Sequence, residues 1–234
     1  MTVHQLSFDG KAVELHHASG GHWGGTKVDE KFVQFLELVL GKDFLNTYRQ
    51  TCPHEWLQFP TNFEKKKKSF KADGVSKICI SLPWSLGTLY AKVNKGKSIE
   101  RVLKSHAGLA FANGLITIKY AVAKQFFDEV CKHVVGHVRH LLRDPKVQDT
   151  EYIMMVGGFS ESEYLQHCVK KAFEGRKIKV LIPVDAQLAI IKGAVLFGHN
   201  PDTIKERIVQ RYYGCSMRVP FDPTHSANNF LRTS

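Results

Sequence analysis

At 234 residues, with 43% hydrophobic residues and a formal net charge of +11, the chain is long and apolar enough to bury a core, which excludes a disordered polyelectrolyte. No run approaches the roughly 18 to 20 uninterrupted apolar residues of a membrane span, and Met1-Thr2-Val3-His4-Gln5 lacks the basic-then-apolar secretory pattern, so a cytoplasmic protein is expected. The basic excess attracts polyanions, whether nucleic acid, an acidic membrane surface or a nucleotide phosphate tail, and charge alone does not choose among them.

Residues 2–6 and 12–15 read as short strands around Asp9-Gly10, a hairpin. A glycine-rich segment follows, Ser19-Gly20-Gly21-His22-Trp23-Gly24-Gly25-Thr26. Val28, Phe32, Phe35, Leu36, Val39 and Leu40 then recur at helical spacing and Gly41 closes the helix. Asp29 near its start suits the exposed amides there. Residues 43–69 are partly helical, with Pro53 and Pro60 as interruptions or first-turn residues, and end in a lysine run. A strand is expected at 75–82, and residues 84–114 give no clear period. Leu115-Ile116-Thr117-Ile118 reads as a strand leading into an amphipathic helix that carries Val122, Phe126, Phe127, Val130, Val134, Val138, Leu141 and Leu142 and stops before Asp144-Pro145.

The last third has the sharpest pattern. The apolar run Tyr152-Ile153-Met154-Met155-Val156 predicts a strand buried on both faces, and it runs into Gly157-Gly158-Phe159-Ser160. A helix capped by Ser160 or Ser162 and ended by Gly175 comes next, then a strand over 179–182. A second helix is expected over 185–197, where Ala186, Ala189, Gly193 and Ala194 permit close packing. Strand, glycine turn, helix, strand, helix is an α/β layer.

Five scattered cysteines, Cys52, Cys79, Cys131, Cys168 and Cys215, form no C-x-x-C pair, and reduced thiols are expected. Among twelve histidines, His133, His137 and His140 fall at helical spacing, but no acidic or cysteine ligand accompanies them, which favours a solvated basic face over a metal site. A glycine pair after a buried strand lets the backbone approach a nucleotide, with a helix N-terminus offering amides; a plain turn is the competing reading. Gly24-Gly25 stands equally between a phosphate approach and a helix-entry turn, and Lys65-Lys66-Lys67-Lys68 between a ligand contact and a solvated face, with a nucleic-acid contact the least favoured.

The segment Val156-Gly157-Gly158-Phe159-Ser160-Glu161-Ser162, followed by Pro183 and by Lys192-Gly193-Ala194-Val195, resembles the adenosine-binding segment of the 70-kDa heat-shock (Hsp70) chaperone family, in the actin and hexokinase fold superfamily. Residues 18–29 look like the stretch in which that family runs from its second phosphate hairpin into a helix, and Phe63-Glu64-Lys65-Lys66-Lys67-Lys68 like the helix that closes over adenosine. Ile80-Ser81-Leu82-Pro83-Trp84-Ser85, Pro183-Val184-Asp185-Ala186-Gln187-Leu188-Ala189 and Lys192 to Gly198 resemble its divergent type-12 branch.

The resemblance implies an α/β fold of the actin/hexokinase/Hsp70-like ATPase type, second lobe only. Residues 1–40 and 115–200 would form a core α/β subdomain, 41–114 an inserted α+β subdomain, and 201–234 a C-terminal extension. It implies ATP or ADP as cofactor, with Gly157, Gly158, Phe159, Ser160 and Glu161 on one wall of an adenosine pocket. Glu64, Lys67 and Lys68 stand on the other, Glu64 bonding ribose and the lysines meeting adenosine through stem and charge; Gly24 and Gly25 lie near phosphate. Where the typical family has serine and arginine after the glycines, Phe159 and Glu161 stand here, so the arginine that stacks on adenine is lost, and an aromatic ring is expected to replace only some of that contact.

The family's first phosphate loop, catalytic lysine and glutamate, and acidic hairpin would precede Thr2, so no catalytic residue is assigned, Mg²⁺ is expected only alongside that lobe, and the chain reads as a fragment that does not hydrolyse ATP alone. Client or regulatory proteins are further expected partners. The alternative is an interaction module or polyanion binder that kept the fold and lost the nucleotide. A self-contained hydrolase is disfavoured, because no G-x-S-x-G elbow or Cys-with-His signature marks a nucleophile.

Overall fold

Turn chemistry sets the first element. β1 (Val3–Leu6) and β2 (Ala12–His16) pair antiparallel around Gly10, whose φ of +78° suits glycine. The structure, a computed structural model, describes residues 1–209, 211, 214 and 215; most of the expected extension over 201–234 lies outside the described residues. α1 (Gly25–Leu40) follows its apolar stripe, with Val28, Phe32, Leu36, Val39 and Leu40 buried. Gly41, at φ +92°, ends it by donating its N–H to the Glu37 carbonyl at 3.0 Å. Asp29 lies a full turn inside α1, so it does not serve the helix N-terminus as expected.

α2 (Lys42–Thr51) and α3 (Pro53–Lys68) fill the next stretch, with Pro53 in the first turn of α3, where no N–H is needed, and Pro60 inside it. β3 (Ile78–Ser81) begins later than expected because Asp73 first takes the backbone N–H groups of Val75 and Ser76, at 2.9 and 2.7 Å, into a turn. The Ser76 hydroxyl and these amides hold the Asp73 carboxyl down at about 2. The aperiodic stretch contains α4 (Trp84–Val93), α5 (Ile99–Ser105) and β4 (Leu109–Ala112). β5 (Leu115–Ile118) lies between β3 and β4, antiparallel to both. α6 (Tyr120–Leu141) then buries Phe126, Phe127, Val130 and Val135.

β6 (Tyr152–Met154) pairs in parallel with β7 (Lys179–Leu181), and between them lie a 3-10 turn (Gly158–Glu161) and α7 (Glu163–Phe173). The expected burial of β6 on both faces is not found: Tyr152 is 50% and Met154 62% exposed. Its only strand neighbour among the described residues is β7. α8 (Ala189–His199) starts later than the expected residue 185, because residues 185–188 close a turn through the Leu188 N–H and the Asp185 carbonyl at 2.9 Å. None of its residues is buried and a Cβ on Gly193 would meet nothing within 4 Å, so its small residues do not serve close packing among the described residues. β8 (Ile204–Glu206) lies parallel to β2.

The result is a mixed α/β molecule whose apolar core runs without a break from α1 through α3, β3 and β5 to α6 and α7. At its centre Phe32 stacks on Phe63, centroids 4.2 Å apart, with Phe126 edge-on to both. No helix among the described residues is long and apolar enough to cross a membrane. Replacing Phe63 by alanine opens a cavity where neither ring neighbour can follow. Urea unfolding of Phe63→Ala is expected to show a loss of about 3–5 kcal/mol with an unchanged slope.

Candidate functional site

Three segments far apart in sequence meet around a pocket of about 200 Å³: the start of α1 (Gly25, Thr26, Asp29), the last turn of α3 (Glu64, Lys67, Lys68) and the turn after β6 (Gly158, Phe159, Ser162). Each is placed by ordinary local forces. The stacked Phe32 and Phe63 hold α3 against α1. Ser162 fixes the third segment by accepting the Leu165 N–H at 3.4 Å as the cap of α7. The turn itself depends on Gly157, at φ +90°, which donates its N–H to the Ala186 carbonyl at 2.7 Å.

The pocket floor is ionic. Lys67, only 4% exposed, places its ammonium 2.8 Å from both Asp29 carboxylate oxygens and 3.2 Å from the Gly25 carbonyl. A Cβ on Gly25 would sit 3.1 Å from that ammonium and 3.2 Å from the Phe159 ring, so a side chain there would press on both and glycine suits the close approach of α1 to α3 and to the turn. Burial raises the Asp29 carboxyl above its ordinary range, with the hydrogen bond and charge of Lys67 pulling the other way. Nearer the rim, Lys68 bridges to Glu161 at 2.8 Å, and that hydrogen bond holds the Lys68 ammonium above its usual value. Lys71, just past α3, reaches Glu163 at the start of α7 at 3.4 Å, a second tie between the two segments.

Of the residues singled out in the sequence, Gly25, Glu64, Lys67, Lys68, Gly158 and Phe159 line the pocket. Gly24 caps α1 beside it. Gly157 shapes the turn from behind, buried Ser160 donates its hydroxyl to the Gly157 carbonyl at 2.6 Å, and Glu161 is engaged by Lys68. Thr26, Asp29 and Ser162 also line it and were not singled out as ligands. Asp29 had a partial signal: with Glu30 it is one of two carboxylates one turn inside a helix that follows a glycine pair. The lysine run is not uniformly solvated, since Lys65 and Lys66 are exposed while Lys67 is buried.

Of the α6 histidines, His133 and His140 are exposed as a solvated face requires, while His137 is half-buried. Trp23 stacks on His133, centroids 5.7 Å apart, and tilts against His137 at 5.2 Å, while the Ser19 hydroxyl lies 3.0 Å from His137 Nε2. Burial pushes the His137 imidazole down. Among the described residues, no group of three or more histidine, cysteine or acidic side chains is arranged to hold a metal ion.

Heat shock 70 kDa protein 12B of Homo sapiens is 33% identical to the chain over 228 residues, covering 95% of this chain and 33% of that protein. Heat shock 70 kDa protein 12A of Mus musculus is 34% identical over 218 residues, 92% of this chain and 32% of that protein. The human 12A protein is similar to the same extent, at 33%. The chain is thus a relative of the type-12 branch of the Hsp70 family, and it spans about a third of the length of the curated relatives it matches. No protein-family model matches it, and no solved structure does.

Lys67→Met leaves Asp29 half-buried without its partner and is expected to destabilise by about 2–3 kcal/mol at neutral pH, less than a fully buried broken pair would. The sign with pH follows from the raised carboxyl. The folded protein holds that proton more tightly than the unfolded chain, so the cost of ionising Asp29 appears as pH climbs above the ordinary carboxylate range. Losing Lys67 enlarges that cost. Urea unfolding of both proteins should give a wider gap at pH 7 than at about pH 4.5.

Proposed function

We propose that this chain binds the adenosine part of ATP or ADP as part of an actin-like ATPase unit of the type-12 heat shock proteins it resembles. The observation that carries the reading is convergence: the start of α1, the last turn of α3 and the turn after β6 border one pocket, and each belongs to a segment whose sequence resembles a nucleotide-contacting stretch of the Hsp70 family.

The residues present fit such a ligand. A Cβ on Gly158 would meet nothing within 4 Å, so the backbone there is open to close approach. The half-buried Phe159 ring offers an apolar face, while exposed Glu64 offers a carboxylate to a sugar hydroxyl. Lys68, held at the rim by Glu161, supplies positive charge. At about 200 Å³ the pocket is smaller than the roughly 300 Å³ at the low end for whole drug-sized ligands. That size favours a nucleoside held here with its phosphates reaching beyond the pocket. Lys67 belongs to the frame in this reading, because its ammonium is committed to Asp29. Phosphoryl transfer is not proposed for the chain alone: the buried lysine and carboxylate at this site neutralise each other. The reading divides the chain into a core unit over 1–40 and 115–200 and an inserted unit over 41–114, with the α3 wall supplied by the insert.

Titration calorimetry with ADP on the chain as it stands tests this. Binding is expected for the wild type, and Gly158→Asp, which sets a carboxylate against the nucleotide, should weaken it roughly tenfold or more. Equal heats for the two proteins would refute the reading. Binding of any polyanion that vanishes with added salt, and is indifferent to Gly158→Asp, would identify the basic surface as the functional one.

A further inference from the structure

Two of the five thiols meet where α7 packs on α6. Cys131 and Cys168 lie within hydrogen-bonding reach of each other, and both line an open depression of about 580 Å³ that shares no residue with the nucleotide pocket. The seam around them is polar. The Tyr164 hydroxyl donates to one oxygen of Asp128 at 2.7 Å, and Lys124 reaches the other at 2.7 Å. Lys171 lines the same depression.

The two sulfurs differ in a way that suits a division of labour. Cys131 is 4% exposed; its bond to Cys168, together with burial, keeps it protonated above the usual thiol range. Cys168 is half-buried at the edge of the depression. The hydrogen bond from Cys131 draws it below that range, with Lys124 and Lys171 assisting against burial and the Asp128 charge. A more exposed thiol at the depression beside a buried one puts an accessible and a resolving sulfur in one place.

We propose that Cys168 and Cys131 form a peroxide-reactive dithiol, in which Cys168 is the attacking sulfur and Cys131 the resolving one, closing a disulfide between α7 and α6. The Cys168 thiolate attacks one oxygen of hydrogen peroxide, the O–O bond breaks, and the departing hydroxide takes up a proton to leave as water. Cys168 is then a sulfenic acid. The Cys131 sulfur attacks it, an S–S bond of about 2.0 Å forms, and the sulfenic hydroxyl leaves with the Cys131 proton as a second water. Two thiols are oxidised by two electrons and one peroxide is reduced to two waters. Because the resolving thiol already touches the sulfenate, the reaction stops at the disulfide ahead of further oxidation to sulfinate.

The test is thiol mapping of the wild-type chain after limiting hydrogen peroxide. Two of the five thiols should disappear together, the tryptic peptides bearing Cys131 and Cys168 should appear linked, and dithiothreitol should restore both. Before resolution, Cys168 should react roughly tenfold or more faster than any other cysteine. Cys131→Ser should stop at a Cys168 sulfenate that dimedone traps, and Cys168→Ser should leave Cys131 reduced. A missing linked peptide, thiol loss spread evenly over the cysteines, or Cys168 driven to sulfinate in the wild type would overturn the proposal, and these wild-type readouts hold whatever the variants do.

Discussion

The contact on which the site depends is the ammonium of Lys67 held against Asp29. Sequence places these residues 38 positions apart, one in the second turn of α1 and one in the last complete turn of α3. Their pairing sets the distance between the two helices at the pocket floor. A lysine buried this far is stable only if its charge is met, and here a carboxylate meets it in bidentate fashion with a backbone carbonyl alongside. Gly25 follows from that arrangement, since a larger residue would push against the ammonium and Phe159 together. The exposed ties around it, Lys68 with Glu161 and Lys71 with Glu163, add register more than energy.

Apolar packing then carries the pair. Phe32 and Phe63 stack a turn away from Asp29 and Lys67 on the same two helices, so the ring contact and the ion pair enforce one geometry by different means. Phe70 continues the aromatic line to Phe127 and Tyr164, linking the α3 side to α6 and α7. The walls of the pocket are therefore parts of one core and not loops laid over it.

Where a local period decides the outcome, the sequence was a sufficient guide. α1 and α6 match their apolar stripes to within a residue or two, and the helix after the glycine turn takes Ser162, one of its two candidate caps. Where the outcome depends on what lies opposite, it was not. The apolar residues of β6 could not reveal that the strand has a single partner among the described residues, nor those of α8 that none of them is buried. Lys67 shows the same limit at the site. Within four consecutive lysines, only the tertiary position of Asp29 distinguishes the buried one from its neighbours, and no one-dimensional pattern carries that information.

The hydrogen bond from the Gly157 N–H to the Ala186 carbonyl has a dynamic consequence. Ala186 is 2% exposed and sits in the turn of residues 185–188, so the Gly157 amide reaches solvent only when that turn lifts away. Its hydrogen-exchange rate is then a readout of an opening event about 30 residues downstream.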